Sequence, residues 1–321
     1  MSKRRTQRGA ALLLAMLTVT LVATFAAAAL WQQWRAVEVE QAERARSQSA
    51  WVLVGAQDWG RLILREDWRA GGSNGTDHLA EPWAVPLQES RLSTFLAAER
   101  GVSQGGDEGL PEVFLSGRIT DMQSRLNVNN LVNDKGEPQQ KPRLAFTQLF
   151  DLLGLPRSEL ARLFDNLARA SQPQPEEGAD APLRPQRFDQ LVWLGLSPAT
   201  LRVLQPHVTL LPSGTRVNLN TASPQVIAAS LKDADLAAAE RLVQARARSA
   251  LRNVGEAAHL LEREGEGGLT DADFSVNSSY FEIYGRLRME GSVVSERSLV
   301  QRNGGVVTTL WRERIPGDVP P

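Results

Sequence analysis

The chain has 321 residues, and its 36 basic and 37 acidic side chains give a formal net charge of −1. That balance offers no overall attraction to nucleic acid, and the length allows two or more domains. The absence of cysteine excludes disulfides and thiolate metal sites. The three histidines, His78, His207 and His259, are too widely spaced to indicate a metal or catalytic site. Because no nucleophile elbow, P-loop, dinucleotide fingerprint or zinc-protease motif is present, we expect no enzymatic activity.

The N-terminal segment combines a basic cluster within residues 3–8 with an uncharged stretch over residues 10–34. One helix of that length spans a hydrocarbon core of roughly 30 Å, and the basic side stays in the cytoplasm. Three alternatives fit the pattern: a Sec signal peptide cut within residues 26–29, a signal anchor, and a pilin-type leader cut after Gly9.

The residues after the apolar stretch favour the pilin-type leader. They are rich in helix formers, and no turn signal precedes the glycine-rich stop at residues 70–75. A cleaved Sec signal would more often be followed by an extended segment. We therefore expect one helix over residues 10–69, with a helical face of apolar or small residues at Val52, Gly55, Ala56, Trp59, Leu62 and Ile63.

This N-terminal pattern resembles the type IV pilin-like proteins, or pseudopilins. The resemblance implies that residues 1–9 are a leader removed by the prepilin peptidase between Gly9 and Ala10, and that Ala10 is then N-methylated. The family carries glutamate at the fifth mature residue, which is Leu14 here. That departure is typical of the K-type minor pseudopilins of type II secretion.

Residues 35–130 are predicted to hold the rest of the long helix and the first strands. Residues 87–100 are compatible with a short helix, and the glycine-rich residues 101–109 with a loop. Residues 117–130 read as a hairpin with a polar turn at residues 121–124.

Residues 131–266 are predicted to form an inserted all-α domain. Helical patterns run over residues 144–170, with a break at 154–156, and over residues 188–204, with a break at 195–198. Thr221 and Ser223 are candidate caps for the next helix.

Strands return in residues 267–315, followed by a tail at 316–321. Apolar residues alternate with polar ones from Phe281 to Met289, and residues 303–305 predict a turn between two further strands. The resemblance implies an α+β fold in which the long helix packs on an antiparallel sheet. The helical insertion would be a SAM-like, degenerate helix-hairpin-helix domain.

The segment at residues 217–227 is similar to the opening of a helix-hairpin-helix DNA-binding unit. A membrane-anchored periplasmic DNA-binding protein of the competence type is therefore the alternative function. The hairpin position, residues 231–236, lacks the glycines that let backbone N–H groups approach a phosphate, and it carries Asp233 and Asp235 instead. We expect no nucleic-acid partner, and we interpret the cations Arg241, Arg246, Arg248 and Arg252 as a solvated helix face.

Two acidic pairs are candidate calcium ligands, because Ca²⁺ prefers oxygen atoms on loops. They are Asp107 with Glu108, and Asp271 with Asp273. The resemblance supports this expectation, since pseudopilins bind calcium. No other cofactor is expected.

The resemblance also implies the function and the location. The protein would be a single-pass inner-membrane protein, with a cytoplasmic N-terminus and a periplasmic C-terminal domain. It would form the tip of the type II secretion pseudopilus, initiate or cap assembly, and support export of folded proteins across the outer membrane. Its partners would be I-, J- and H-type minor pseudopilins, the prepilin peptidase, and the secretin or secreted cargo.

Overall fold

The computed structural model describes residues 7–71, 75–92, 112–133, 135–172, 182–231, 233, 235–262, 269–289 and 292–315. The chain divides into two units, residues 1–54 and residues 55–321.

The first element is a helix of 65 residues, α1 (Gln7–Gly71). Its N-terminal part contains an 18-residue window with a mean hydropathy of 2.3, none of which is buried. Within this part the hydroxyls of Thr18, Thr20 and Thr24 bond back to helix carbonyls, which leaves these polar groups satisfied without water. The helix ends at the predicted glycine stop, so the long-helix prediction is confirmed.

The second unit contains one five-stranded sheet in which all neighbouring strands are antiparallel. In spatial order, its strands are β1 (Leu87–Arg91), β2 (Val113–Asp121), β7 (Tyr280–Met289), β8 (Ser292–Asn303) and β9 (Val306–Ile315). The strands β7 and β8 and the turn at Gly304 and Gly305 confirm the predicted C-terminal meander.

The C-terminal part of α1 packs on one face of this sheet. Leu64 forms a buried core with Trp83, Phe281 and Val300, and the Trp83 and Phe281 rings meet edge to face with centroids 5.2 Å apart. Gly60 allows the close approach, because a Cβ there would lie 2.9 Å from the Ile283 side chain. A long helix on an antiparallel sheet is the predicted α+β arrangement, which is confirmed.

The region between β2 and β7 is mostly helical. The predicted breaks near Gly154 and Gly195 are confirmed, and both glycines have positive φ, at 64° and 95°. The segment before Gly195, Phe188–Leu194, is a 3-10 helix. The α-helices are α2 (Gln140–Leu152), α3 (Arg157–Ala170), α4 (Pro198–Leu204), α5 (Pro224–Ser230), α6 (Leu236–Arg248) and α7 (Val254–Leu260).

Two local predictions are wrong. Residues 117–130 do not form a hairpin, because β2 pairs with β1 and β7, and the chain then turns through the 3-10 helix Met122–Ser124. Residues 87–91 form the edge strand β1 instead of the start of a helix. Residues 93–100 of that predicted helix lie outside the described residues.

The helical region also contains two short parallel ladders, which the sequence did not predict. In the first, β3 (Leu126–Asn127) pairs with β4 (Val208–Thr209). In the second, β5 (Val217–Asn218) pairs with β6 (Phe274–Ser275). The first ladder joins the two ends of residues 126–209, and the second joins the two ends of residues 217–275. We call these two segments the first and second helical halves.

Candidate functional site: the polar junction between sheet and helical region

A buried polar junction lies where β2 ends, β5 begins and β7 is about to start. At its centre, Asp121 Oδ2 accepts hydrogen bonds from Ser278 Oγ at 2.6 Å, Thr221 Oγ1 at 2.5 Å and Asn218 Nδ2 at 3.1 Å. Its other oxygen accepts from the backbone N–H of Gln123 at 2.7 Å. One carboxylate therefore holds the end of the sheet to the opening of the second helical half.

The junction continues into a buried ion-pair network around Arg302 at the end of β8. The guanidinium binds both Asp77 and Asp67, the latter at 3.0 Å, and also donates to the carbonyl of Ser278 at 2.9 Å. Asp77 in turn accepts from the backbone N–H of Ser278 at 2.6 Å. Because Asp67 lies in α1, the network joins the helix, the sheet and the helical region.

Burial dominates the electrostatics of the junction. It raises the pKa of Asp121 to about 6, although the hydrogen bonds from Ser278 and Thr221 favour the charged form. Burial also raises the pKa of Asp67, and the opposite charge of Arg302 pulls it down. The described contacts of these carboxylates are with protein donors, so the arrangement fits a structural joint.

Asp67, Asp77 and Glu81 form a group of carboxylates that could hold a cation, with ligand atoms all within 4.8 Å of one another. Glu81 accepts from the backbone N–H of His78 at 2.8 Å and from Trp83 Nε1 at 2.7 Å. Burial raises the pKa of Glu81. Arg302 already supplies one positive charge at this group.

Of the two acidic pairs predicted to bind calcium, the structure describes only Asp271 with Asp273. Asp107 and Glu108 lie outside the described residues. Asp273 Oδ2 is bound by Lys141 Nζ at 2.8 Å and by Thr270 Oγ1 at 3.0 Å, so an ammonium group occupies one side of this carboxylate. Asp271 is exposed, and in the described part of the chain it joins no group of three ligands.

The segment that resembles a DNA-binding opening turns its polar side chains inward. Asn218 and Asn220 are buried, and Ser223 caps α5 by accepting from the N–H of Val226 at 3.3 Å. At the hairpin position, Asp235 caps α6 by accepting from the N–H of Ala238 at 2.9 Å. The carboxylate therefore occupies the helix N-terminus that a phosphate would need.

The prediction of a solvated helix face is wrong for Arg246. Its guanidinium donates to the carbonyls of Leu219 and Ala222, the latter at 2.6 Å, and burial lowers its pKa to about 10. Arg246 therefore stabilises the loop from within. Arg241, Arg248 and Arg252 are exposed, as predicted.

The junction asparagines belong to a pattern that the sequence analysis missed. Asn220 exchanges two hydrogen bonds with the backbone of Leu251, at 3.0 and 2.9 Å. Asn127 does the same with Leu211, at 3.1 and 3.0 Å. Both occur in an apolar-Asn-apolar-Asn sequence, at residues 126–129 and 217–220, but Asn127 is the first asparagine of its sequence and Asn220 is the second. The first asparagines, Asn127 and Asn218, also match, because each accepts from the backbone N–H two residues later, at 3.1 and 2.9 Å. That repeated sequence was the available signal for two similarly built halves.

The residues implied in processing lie in one uninterrupted helix. Gly9, Ala10 and Leu14 all fall within α1. Leu14 is 65% exposed, and the other large apolar side chains around it are exposed as well. A long apolar helix surface without a carboxylate at this position is thus available to contact lipid or other helices.

Comparisons with known proteins identify similar chains. Two models described as type II secretion system (T2SS), protein K match residues 124–213 and 217–277, which correspond to the two helical halves. The chain is 30% identical to the type II secretion system protein K of Pseudomonas aeruginosa, over 96% of this chain and 90% of the relative. It is 28% identical to the protein K of Klebsiella pneumoniae, over 95% of this chain and 96% of the relative.

A solved structure shows a similar fold. It is the crystal structure of the GspK-GspI-GspJ complex from the type 2 secretion system of enterotoxigenic Escherichia coli. The match has a TM-score of 0.59 at 15% identity, and it covers 86% of this chain and 99% of the matched one.

Proposed function

The chain belongs to the type II secretion system protein K family and is therefore a minor pseudopilin, and we propose that it forms the tip of the pseudopilus. There it initiates or caps filament assembly and supports export of folded proteins across the outer membrane. Its role is structural and involves no catalysis.

The single observation that carries the tip position is Leu14 on the exposed apolar surface of α1. In a filament of pilin-like subunits, a glutamate at this position offsets the amino terminus of a neighbouring subunit within the membrane. A buried carboxylate without such a partner is costly. A subunit with nothing above it has no amine to neutralise, so an apolar residue is favourable there.

The size of the helical region supports the same position. The region between β2 and β7 extends from residue 122 to residue 279 and has a core of its own. A head of that size would crowd neighbours along a regular shaft. At the end of a filament it would instead prevent further subunits from adding above it.

The proposed surroundings follow from this role. The apolar part of α1 anchors the protein in the inner membrane, with the N-terminus in the cytoplasm and the second unit in the periplasm. The relative from Escherichia coli was solved in complex with GspI and GspJ, which supports I- and J-type minor pseudopilins as partners of this chain. An H-type subunit, the secretin and secreted cargo are further proposed contacts.

Counting and locating the protein in isolated pseudopili tests the proposal. Gold labelling of an epitope on the helical region should give one label at one filament end. Labels spread evenly along the shaft would contradict the tip position.

Variants at Leu14 refine the test. Leu14→Glu should reduce filament initiation only mildly, because it adds a membrane carboxylate without an obligatory partner. The matched control Leu14→Ala adds no charge and should leave initiation unchanged. A Leu14→Glu protein that entered the shaft in many copies would show that this residue sets the position.

A further inference from the structure

Two arginines flank one tyrosine on the face of the five-stranded sheet that lies away from the C-terminal part of α1. Ile283 contacts that helix at Gly60, and side chains alternate along a strand, so Tyr284 lies on the other face. Arg118 of β2 and Arg297 of β8 are its register partners in the two neighbouring strands. The Arg118 guanidinium lies over the Tyr284 ring, 4.8 Å from the ring centroid. The two cations are therefore held side by side across three strands.

Arg125 brings a third guanidinium to the same place. It follows the 3-10 helix Met122–Ser124, where the chain leaves the sheet for the first helical half. Burial lowers the pKa of Arg125, and the like charges of Arg118 and Arg297 act in the same direction. Cations from three separate segments thus lie close enough to repel one another, and we call Arg118, Arg125 and Arg297 the arginine cluster.

Arg118 and Arg125 lack the acceptors that guanidinium groups require. Each guanidinium offers five N–H donors. In the described part of the chain, these two side chains contact an aromatic ring and neighbouring charges without a hydrogen bond or an ion pair. Both side chains are half-buried, which limits the water around them. Their nitrogens are not among the fully shielded unpaired atoms, so a small ligand can reach them.

The carboxylates near the arginine cluster do not neutralise it. Glu282 lies 4.0 Å from Arg297, and Glu313 is shared between Arg297, at 3.2 Å, and Arg187, at 2.5 Å. The third carboxylate near the cluster, Asp121, accepts its hydrogen bonds within the polar junction. Counting Arg187, four guanidiniums face three carboxylates, which leaves one positive charge in excess. A bound anion would remove this excess and supply the missing acceptors.

We propose that the arginine cluster binds a small tetrahedral oxyanion of the phosphate or sulfate class, held by Arg118 and Arg125 with Arg297 as the third donor. The three side chains start from different segments and approach one another from different directions. A tetrahedral oxyanion presents four oxygens to such donors, whereas a carboxylate presents two in one plane and a halide is a single atom. The bound anion would join β2, β8 and the start of the first helical half. The site does not depend on the proposed tip position.

The experiment measures thermal unfolding of the full-length chain in detergent while inorganic phosphate replaces chloride at constant ionic strength. Phosphate should raise the Tm in a saturable way, which gives its Kd. Arg118→Met and Arg125→Met keep an apolar stem but remove the charge. Each should raise the Kd by about tenfold or more, because charge-assisted hydrogen bonds are lost. The matched control Arg248→Met, in the exposed last turn of α6, should leave the Kd unchanged.

Glu282→Gln gives a change in the opposite direction. It removes a negative charge beside the arginine cluster while keeping the shape of the side chain. The Kd for phosphate should therefore fall, by about threefold. If the cluster only stabilised the fold, this variant would lose a favourable charge and gain nothing from phosphate.

Each outcome supports or contradicts the anion site. A Tm that rises no more with phosphate than with chloride overturns the proposal, and so does an unchanged Kd in both arginine variants. If acetate stabilises the chain as well as phosphate does, the cluster recognises carboxylates and the assignment to tetrahedral oxyanions is wrong. Should the arginine variants fail to fold, Glu282→Gln decides alone, and a Kd that does not fall contradicts the site. None of these results bears on the position of the protein in the filament.

Discussion

Asn218 donates its side-chain amide to the carboxylate of Asp121 at 3.1 Å, across 97 positions of sequence. The same amide nitrogen lies 2.9 Å from Ser278 Oγ and 3.1 Å from the carbonyl of Asp77. It is fully buried, so these groups have no water to replace a lost bond. Asn218 therefore joins the end of the sheet to the helical region through several hydrogen bonds of one side chain.

The first prediction concerns this asparagine. Asn218→Ala should lower the free energy of unfolding by about 3 kcal/mol, because it removes the side-chain donor to the buried carbonyl of Asp77 and the acceptor for the buried backbone N–H of Asn220. Urea unfolding of the detergent-solubilised chain measures the change. The control Asn277→Ala alters an exposed amide and should have little effect. An Asn218→Ala protein as stable as the wild type would contradict the role of the junction.

The second prediction is a pH dependence set by Asp121. Its pKa rises from 3.8 to about 6 in the folded state, so the folded protein binds a proton in a range where the unfolded chain does not. The contribution of Asp121 to stability therefore increases as the pH falls from about 7 to about 4, by about 3 kcal/mol.

The measurement isolates Asp121 by difference. Unfolding free energies of the wild type and of Asp121→Asn are compared from pH 7 to pH 4, and the wild type should gain relative to the variant as the pH falls. The exposed Asp165→Asn is the control and should follow the wild type. A wild-type advantage that shrinks on acidification would show that the hydrogen bonds outweigh burial at this carboxylate.

The third prediction concerns processing. We expect the mature chain in the membrane to begin at Ala10 and to carry an N-methyl group. Intact mass spectrometry of the membrane form should give the mass of residues 10–321 plus one methyl group. Gly9→Val should leave the leader in place, because the peptidase would lose its small residue before the cut. An N-terminus within residues 26–30 would support a cleaved Sec signal and contradict the filament model.

The fourth prediction concerns nucleic acid. Because Asp235 caps α6 and Arg246 is turned inward, the chain should show no measurable affinity for duplex DNA at moderate salt. Fluorescence anisotropy with a labelled duplex measures this, and a competence-type helix-hairpin-helix protein serves as the positive control. Micromolar binding that weakens steeply with salt would instead support the DNA-receptor alternative.

The fifth prediction concerns calcium at Asp271 and Asp273. Ca²⁺ at 100 times its Kd should stabilise the folded chain by about 2.7 kcal/mol, and the double change Asp271→Asn with Asp273→Asn should abolish the effect. Lys141→Met removes the ammonium group that competes for Asp273, so it should tighten binding. If Glu81→Gln removed the stabilisation instead, the ion would lie at the Asp67, Asp77 and Glu81 group.

Features set by residues close together in the sequence were predictable, whereas features set by contacts between distant segments were not. The end of α1, the breaks at Gly154 and Gly195 and the strand β7 depend on local signals, and all were predicted. The partner of β2 was not, because strand pairing across a whole helical region leaves no local trace. The polar junction could not be predicted for the same reason. Asp121, Asn218 and Ser278 belong to no sequence motif, and they acquire their roles only through contacts between distant segments.

The neighbouring position of β2 and β7 also has a consequence for folding. The two strands pair as a hairpin would, with Asp121 opposite Phe281, although the connection between them is the entire helical region. Bringing the two ends of so long a connection together carries a large loop-closure entropy if the region is unfolded. If the β3–β4 and β5–β6 ladders form first, they shorten the effective loop to the ladders themselves and residues 122–125, 210–216 and 276–279. In that case the helical halves form before the sheet does. Substitutions in the ladders should then slow refolding more than substitutions in β9.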